Sequence, residues 1–183
     1  DIQWLTDEDE WYAMNSKGKE FSMFGNNTSM DGTLILQPDK MKGQGEVNTA
    51  DARITSETFS FGPMSFEADT SDYYLRALKG YGYGFVASDV NTHVDFATQK
   101  ASFRLNTDSS FVVLPGIEYI SKMTSFEYDM EKKVMDMFQE GRESVPLMSP
   151  QELLEVPHGL KEKPTFLSTN NMKDTLKFQS GSA

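Results

Sequence analysis

The stretch Ala52–Phe61, ARITSETFSF, with the turn Gly62-Pro63 and the segment Met64–Ala68, MSFEA, decides the fold class of this chain. Polar and apolar residues alternate in both segments, with period two in the second half of the first. Period two places successive side chains on opposite faces of a strand, one toward a core and one toward water. Similar segments separated by turn residues recur about every ten residues between positions 33 and 136. The pattern predicts a large antiparallel β structure.

Turn chemistry and composition divide the chain into three parts. Residues 1–140 are predicted to form the main β domain, residues 141–163 a linker, and residues 164–183 terminal strands. Within the linker a capping box, Ser149-Pro150-Gln151-Glu152, predicts a short helix over 149–156. The terminal segment echoes the strands around Ile54, which raises the hypothesis that it starts a further repeat unit.

Glycines interrupt the strand pattern at two places. The segment Lys42–Gly45 is interpreted as a bend, and Gly80–Gly84 as a bulge or a close approach of two backbones. Separate strands are predicted on either side of these breaks, among them 72–78, 85–88 and 92–96.

Composition excludes several classes of function. The net charge is −11, with a pI of about 4.6, and phosphate binding requires clustered lysine and arginine, so nucleic acid is not an expected partner. There is no cysteine, which removes disulfides, thiol nucleophiles and zinc–thiolate sites. No apolar run approaches the roughly 20 residues of a membrane span, so no transmembrane segment is predicted.

Residues that could support catalysis are few. The acidic run from Thr6 to Trp11 lacks the spacing of a calcium loop. A metal site that used the two histidines, His93 and His158, would need carboxylates as its main ligands, because the chain has no cysteine. His93 alternates with Val94 and is expected to face water. No nucleophile elbow or phosphate loop is present. We therefore expect no cofactor and no enzyme activity, with paired carboxylates as the remaining catalytic alternative.

Tyr81 and Tyr83 are the best candidates for contact with a ligand or partner. Glycines flank both tyrosines, and their spacing places both rings on one face of a strand. Aromatic residues are also common on ordinary sheet faces, so packing within the sheet is the competing interpretation.

The segment Lys42–Phe61, KGQGEVNTADARITSETFSF, together with Phe66–Thr70, resembles the strand rhythm of OstA/LptA-like envelope β domains. Residues 85–130 and 166–178 are similar to segments of large β-repeat proteins of Bacteroidetes envelopes. The resemblance implies a jellyroll-like or β-solenoid (β-taco) fold in the periplasm or at the outer membrane. Such domains hold lipopolysaccharide acyl chains between two sheets and join edge to edge. The implied inward row is Ile54, Phe59, Phe61, Met64, Phe66 and Ala68.

Three functions follow as hypotheses. The first is a non-enzymatic structural or binding module that pairs with adjacent β modules or other envelope components through sheet edges, with lipid or glycan as further ligands. The second is a carrier of lipopolysaccharide or lipid acyl chains, and the third is a carbohydrate-active enzyme with paired carboxylates. The predicted core residues are Phe59, Phe61, Phe66, Leu75, Phe96, Phe103 and Val112.

Overall fold

The fold is mainly β and antiparallel throughout the described part of the chain. The computed structural model describes residues 2–5, 9–16, 18–25, 28–78, 82–107, 110–139, 165–168 and 177–179. Within these residues the helical element is a single 3₁₀ turn, Pro115–Ile117. None of their helices is long and apolar enough to cross a membrane. The predicted fold class is confirmed.

The described residues form fifteen strands, and the first thirteen follow one another with short connections. They are β1 (Ile2–Leu5), β2 (Glu10–Met14), β3 (Phe21–Met23), β4 (Thr28–Leu36), β5 (Met41–Asn48), β6 (Ala52–Phe61), β7 (Ser65–Arg76), β8 (Tyr83–Asp95), β9 (Lys100–Leu105), β10 (Val112–Leu114), β11 (Tyr119–Lys122), β12 (Ser125–Asp129), β13 (Val134–Phe138), β14 (Thr165–Ser168) and β15 (Lys177–Gln179).

Five long strands, β4 to β8, form the trunk of one sheet that forks at both sides. The first part of β4 pairs with β3 and its second part with β2. The first part of β8 pairs with β10 and its second part with β9. We call half-sheet A the side that carries β1, β2, β9, β12 and β13, and half-sheet B the side that carries β3, β10, β11, β14 and β15.

A line of backbone irregularities crosses the trunk between the two half-sheets, and we call it the seam. The register shifts within the β5–β6 and β7–β8 pairs. In β6, β7 and β8 every second residue is buried on each side of the seam. Within each strand the buried residues have even numbers on one side and odd numbers on the other, as with Ile54 and Phe59 or Ala68 and Ser71. The seam comprises Gly32, Gly45, Ser56–Thr58, Asp69–Thr70 and Asp89, of which Gly32, Gly45 and Asp89 have positive φ. Bulges of this kind bend strands sharply.

The sheet bends at the seam so that its two halves pack against each other. Tyr73 of β7 lies opposite Ala87, and Phe103 of β9 lies opposite Thr92. In a flat sheet this offset of two strands and five residues corresponds to about 19 Å between their Cα atoms. The two ring centroids are 4.2 Å apart. Only a folded-over sheet brings them together, and this shape fits the predicted β-taco-like class.

The interior between the half-sheets is filled with aromatic side chains. One cluster joins Phe24 to Phe66 and Phe96, and a second joins Tyr73 to Phe103 and Phe126. Phe66 and Phe126 are completely buried. Aromatic pairs at these separations pack as in an ordinary protein core.

Most of the predicted core residues are confirmed. Phe59, Phe66, Phe96, Phe103 and Val112 are buried, whereas Phe61 and Leu75 are half-buried and pack against the core. The expectation that Met64 points inward is wrong, because it lies in the β6–β7 turn and is 41% exposed.

Three predicted boundaries are corrected. Lys42–Gly45 does not end a strand, since it lies inside β5, which continues through the bend of the seam at Gly45. Segment 72–78 belongs largely to β7, which runs unbroken from Ser65 to Arg76, and the predicted strands 85–88 and 92–96 are parts of β8. Strands β7 and β8 each continue through a bulge. The residues of a bulge resemble those of a turn, so the sequence pattern predicts a break where the strand continues.

The terminal strands are present as β14 and β15, and they extend the same sheet next to β11. The predicted linker 141–163 and helix 149–156 lie outside the described residues. The division into domains and the repeat unit stay predictions.

Truncation of Phe66 to alanine tests the filled core. We expect the free energy of unfolding to fall by about 3–5 kcal/mol, because a completely buried ring leaves a cavity. Met64→Ala is the matched control and should change it by less than about 0.5 kcal/mol, since Met64 is exposed. Urea denaturation measures both, and a loss below about 1 kcal/mol for Phe66→Ala contradicts the filled core.

Gly45→Ala tests the seam. Gly45 faces Gly32 across β4 and β5, and a Cβ atom on Gly45 would lie 2.2 Å from the carbonyl oxygen of Asp31. Its φ of +135° adds strain for any side chain, so we expect a loss of at least about 1–3 kcal/mol. Gly116→Ala, where nothing lies within 4 Å of the new atom, should be nearly neutral in the same denaturation experiment.

Candidate functional site

The predicted contact residue Tyr83 packs against other residues of its own sheet. Its ring centroid is 5.2 Å from that of Tyr74, and the guanidinium carbon of Arg53 lies 4.4 Å from the Tyr74 centroid and 5.2 Å from the Tyr83 centroid. Arg53 also pairs with Glu46 at 3.7 Å. Tyr83 is half-buried, and a cation–π contact with Arg53 and ring packing against Tyr74 hold it within its own sheet. Tyr81 lies outside the described residues, so contact through Tyr81 and Tyr83 stays a prediction.

An exposed pair of tryptophans lies at one edge of half-sheet A. Trp4 of β1 and Trp11 of β2 are directly opposite each other, and their rings stack at 5.2 Å with an interplanar angle of 4°. They are 51% and 45% exposed. We call the pair the tryptophan platform.

The tryptophan platform continues the core face of the sheet. The cross-strand row that starts at Trp4 and Trp11 runs through Leu36, Met41, Phe61 and Phe66. Phe66 at one end of this row is completely buried, whereas Leu36 near the other end is 41% exposed. The apolar inner face therefore extends past the region that half-sheet B covers.

Half-sheet A ends in two edge strands. Within the described residues β1 pairs only with β2, and β13 pairs only with β12. In β13, Met135 and Met137 are buried, while Val134 and Phe138 are 37% and 44% exposed. An unpaired strand edge offers free N–H and C=O groups to another strand.

A pocket opens between the half-sheets at their free ends, and we call it the mouth pocket. Its volume is about 360 Å³. Buried residues form its floor, namely Phe85, Leu114, Tyr128 and Met135, and exposed residues form its rim, namely Arg76, Leu78, Gly116, Ile117 and Lys133. The rim is also apolar in part, since Leu78 is 77% exposed and Ile117 is 49% exposed.

A polar clasp joins the half-sheets beside the mouth pocket. Asp51, in the β5–β6 turn, accepts hydrogen bonds from the Tyr128 hydroxyl at 3.4 Å and from Lys133 Nζ. Burial and the nearby Asp51 carboxylate raise the pKa of Tyr128, and burial raises the pKa of Tyr73. Both hydroxyls therefore stay protonated, and Tyr128 acts as a hydrogen-bond donor.

Two carboxylates, those of Glu57 and Asp72, line a recess of about 440 Å³ at the seam. Glu57 is exposed and Asp72 is half-buried. A catalytic carboxylic acid normally lies in a desolvated pocket, and neither residue has that environment. Among the described residues no group of three or more histidine, aspartate or glutamate side chains could hold a metal ion.

The two histidines and the acidic run, which the sequence offered as candidate metal or catalytic residues, either have partners within the fold or lie outside the described residues. His93 is on the surface, as expected, and its Nδ1 lies 2.9 Å from Glu67. His158 and residues 6–8 of the acidic run are outside the described residues, and Glu10 of that run accepts hydrogen bonds from Tyr12 at 2.8 Å and from Gln37.

No protein-family model, curated protein or solved structure matches the chain. The likeness to OstA/LptA-like domains therefore stays an expectation from the strand pattern.

A double-mutant cycle on Asp51 and Lys133 tests the clasp. We expect Asp51→Asn and Lys133→Met to show a coupling energy of about 0.5–1 kcal/mol in thermal or urea unfolding, because the pair is only partly exposed. The pair Asp129–Lys132 joins residues three positions apart, with the Lys132 side chain 72% exposed, and it is the control that should couple more weakly. Equal coupling in the two cycles would show that the clasp does not hold the half-sheets together.

Proposed function

We propose that this chain is a non-enzymatic structural module of a bacterial cell-envelope protein, and that it joins neighbouring β modules through the edges of half-sheet A. The observation that carries the proposal is the tryptophan platform on an edge strand that has no second partner among the described residues. The envelope location depends on the sequence resemblance alone.

The edge at β1 lacks the usual protection against pairing. Natural edge strands are blunted by lysine, proline, bulges or a covering segment. Strand β1 has the sequence IQWL, without charge or proline, and Trp4 and Ile2 on it are 51% and 74% exposed. A partner strand added here would satisfy the backbone groups and cover the apolar face together.

The edge at β13 is the complementary end. It lies on the far side of the same half-sheet, so that a β1 strand of one module can pair with β13 of the next without closing a dimer. Contacts between two different surfaces of identical or similar modules build open chains. Buried Met135 and Met137 would then continue into the row of Ile2 and Trp4 of the neighbour.

The two alternatives have weaker support. A lipid carrier of the OstA/LptA-like kind requires an open trough between its sheets, and the aromatic clusters fill the interior here. A carbohydrate-active enzyme requires paired carboxylates in a cleft, and in the Glu57–Asp72 recess Glu57 is exposed.

Single-cysteine cross-linking tests the head-to-tail arrangement, because the wild-type chain has no cysteine. Gln3→Cys on β1 and Asp136→Cys on β13 both replace exposed residues. When equal amounts of the two variants are mixed and treated with a short bismaleimide, the mixed dimer should exceed the sum of the two homodimers, which is the yield of random collision. Glu57→Cys, at an exposed site away from both edges, is the control and should give no excess with either variant.

A further variant in the same experiment tests whether the tryptophan platform contributes to the pairing of the two edges. Trp4→Lys, added to the Gln3→Cys chain, should lower the yield of mixed dimer, because it places a hydrated charge on the edge. Sedimentation velocity should show an average mass of the wild type that rises with concentration. A wild type that stays monomeric up to millimolar concentration, with no excess of mixed dimer, contradicts the proposal.

A further inference from the structure

The mouth pocket has the size and lining of a small-molecule site. Its volume of about 360 Å³ falls within the usual range of about 300–1,000 Å³ for ligand pockets, which are mostly apolar with a few placed polar groups. Here the buried floor is apolar except for the Tyr128 hydroxyl, which donates to Asp51.

The two charged side chains of the described lining are both cations, and the Asp51 carboxylate of the clasp lies beside Lys133. Arg76 and Lys133 line the mouth pocket, and its lining contains no carboxylate. This is notable in a chain with 28 acidic and 17 basic side chains. An anionic group is thus the complementary head for a ligand at this rim.

Of the two cations, Arg76 has no ion-pair partner among the described residues. Its guanidinium donates to carbonyl oxygens of the β5–β6 turn, the nearest at 2.7 Å, and to the Asn48 side chain at 3.2 Å. No carboxylate of the described residues lies within ion-pair distance of it, whereas Lys133 is paired with Asp51. The neutral acceptors hold the guanidinium at the rim without cancelling its charge.

We propose that the mouth pocket binds a single-chain anionic amphiphile of the fatty-acid class. The hydrocarbon chain lies against Phe85, Leu114 and Met135, and the carboxylate lies at Arg76. The exposed rim residues Leu78 and Ile117 cover the part of the chain that leaves the floor. A volume of this size accommodates one alkyl chain rather than a two-chain lipid. The site is independent of the sheet edges, so it goes beyond the proposed structural role.

A chain-length series measures the pocket directly. Octanoate, decanoate and dodecanoate, each below its micelle concentration, are titrated into the protein by calorimetry. Affinity should rise by about threefold to fourfold for each added methylene while the pocket fills, and then level off. We expect one site per chain, and dodecyltrimethylammonium should bind at least about tenfold more weakly than dodecanoate because Arg76 repels it.

Two pairs of variants locate the site. Leu78→Asp places a negative charge on the exposed rim and should weaken dodecanoate binding about tenfold or more. Met64→Asp makes the same change at an exposed site in the β6–β7 turn and should leave binding unchanged. Arg76→Gln should abolish the preference for the anion, and Arg76→Lys should retain it.

Other results would overturn the inference. Equal affinity for dodecanoate and dodecyltrimethylammonium would show that the rim charge is irrelevant. Equal weakening by Leu78→Asp and Met64→Asp, or affinity that rises without levelling off, would show unspecific association with apolar surface. If Arg76→Gln does not fold, because it also supports the β5–β6 turn, the Leu78 and Met64 comparison decides alone.

Discussion

The bend at the seam is the constraint on which the rest of this structure depends. Without it, the apolar faces of the trunk strands would have no second layer to pack against. The irregularities on neighbouring strands lie side by side, so the whole sheet turns at one line. Gly32 and Gly45 permit the closest approach, since each faces a backbone oxygen at a distance that no Cβ atom tolerates.

A bend of this kind breaks the ladder and leaves backbone groups without partners, which is costly in a folded chain. Side chains at the seam replace the lost bonds. The Ser56 hydroxyl donates to the carbonyl oxygen of Thr70 at 2.7 Å, and that of buried Ser71 donates to the carbonyl oxygen of Val90 at 3.0 Å. Asn106 donates to the carbonyl oxygen of Asp69 at 2.9 Å and to the Asp89 carboxylate at 3.0 Å. Short polar residues in mid-strand are therefore structural here.

Much of the fold was predictable because period two is a local signal, and it identified Phe59, Phe66 and Phe103 as core residues. The seam was not predictable, because a bulge in one strand has a sequence like that of a turn, and its alignment with others depends on register. The same limit applies to the candidate sites. Trp4 and Trp11 are close in sequence, but their exposure depends on where half-sheet B ends. Asp51 and Lys133 are 82 positions apart, and nothing local connects them.

The two surfaces proposed for binding are consequences of the same bend. Folding one sheet onto itself brings two halves of unequal extent together, so they cannot cover each other completely. Where half-sheet A extends further, its apolar face continues uncovered as the tryptophan platform. Where the free ends of both halves meet, the Asp51 clasp holds them together beside an opening, and the mouth pocket results. A flat sheet or a closed barrel would have neither feature, so both proposed binding surfaces depend on the seam.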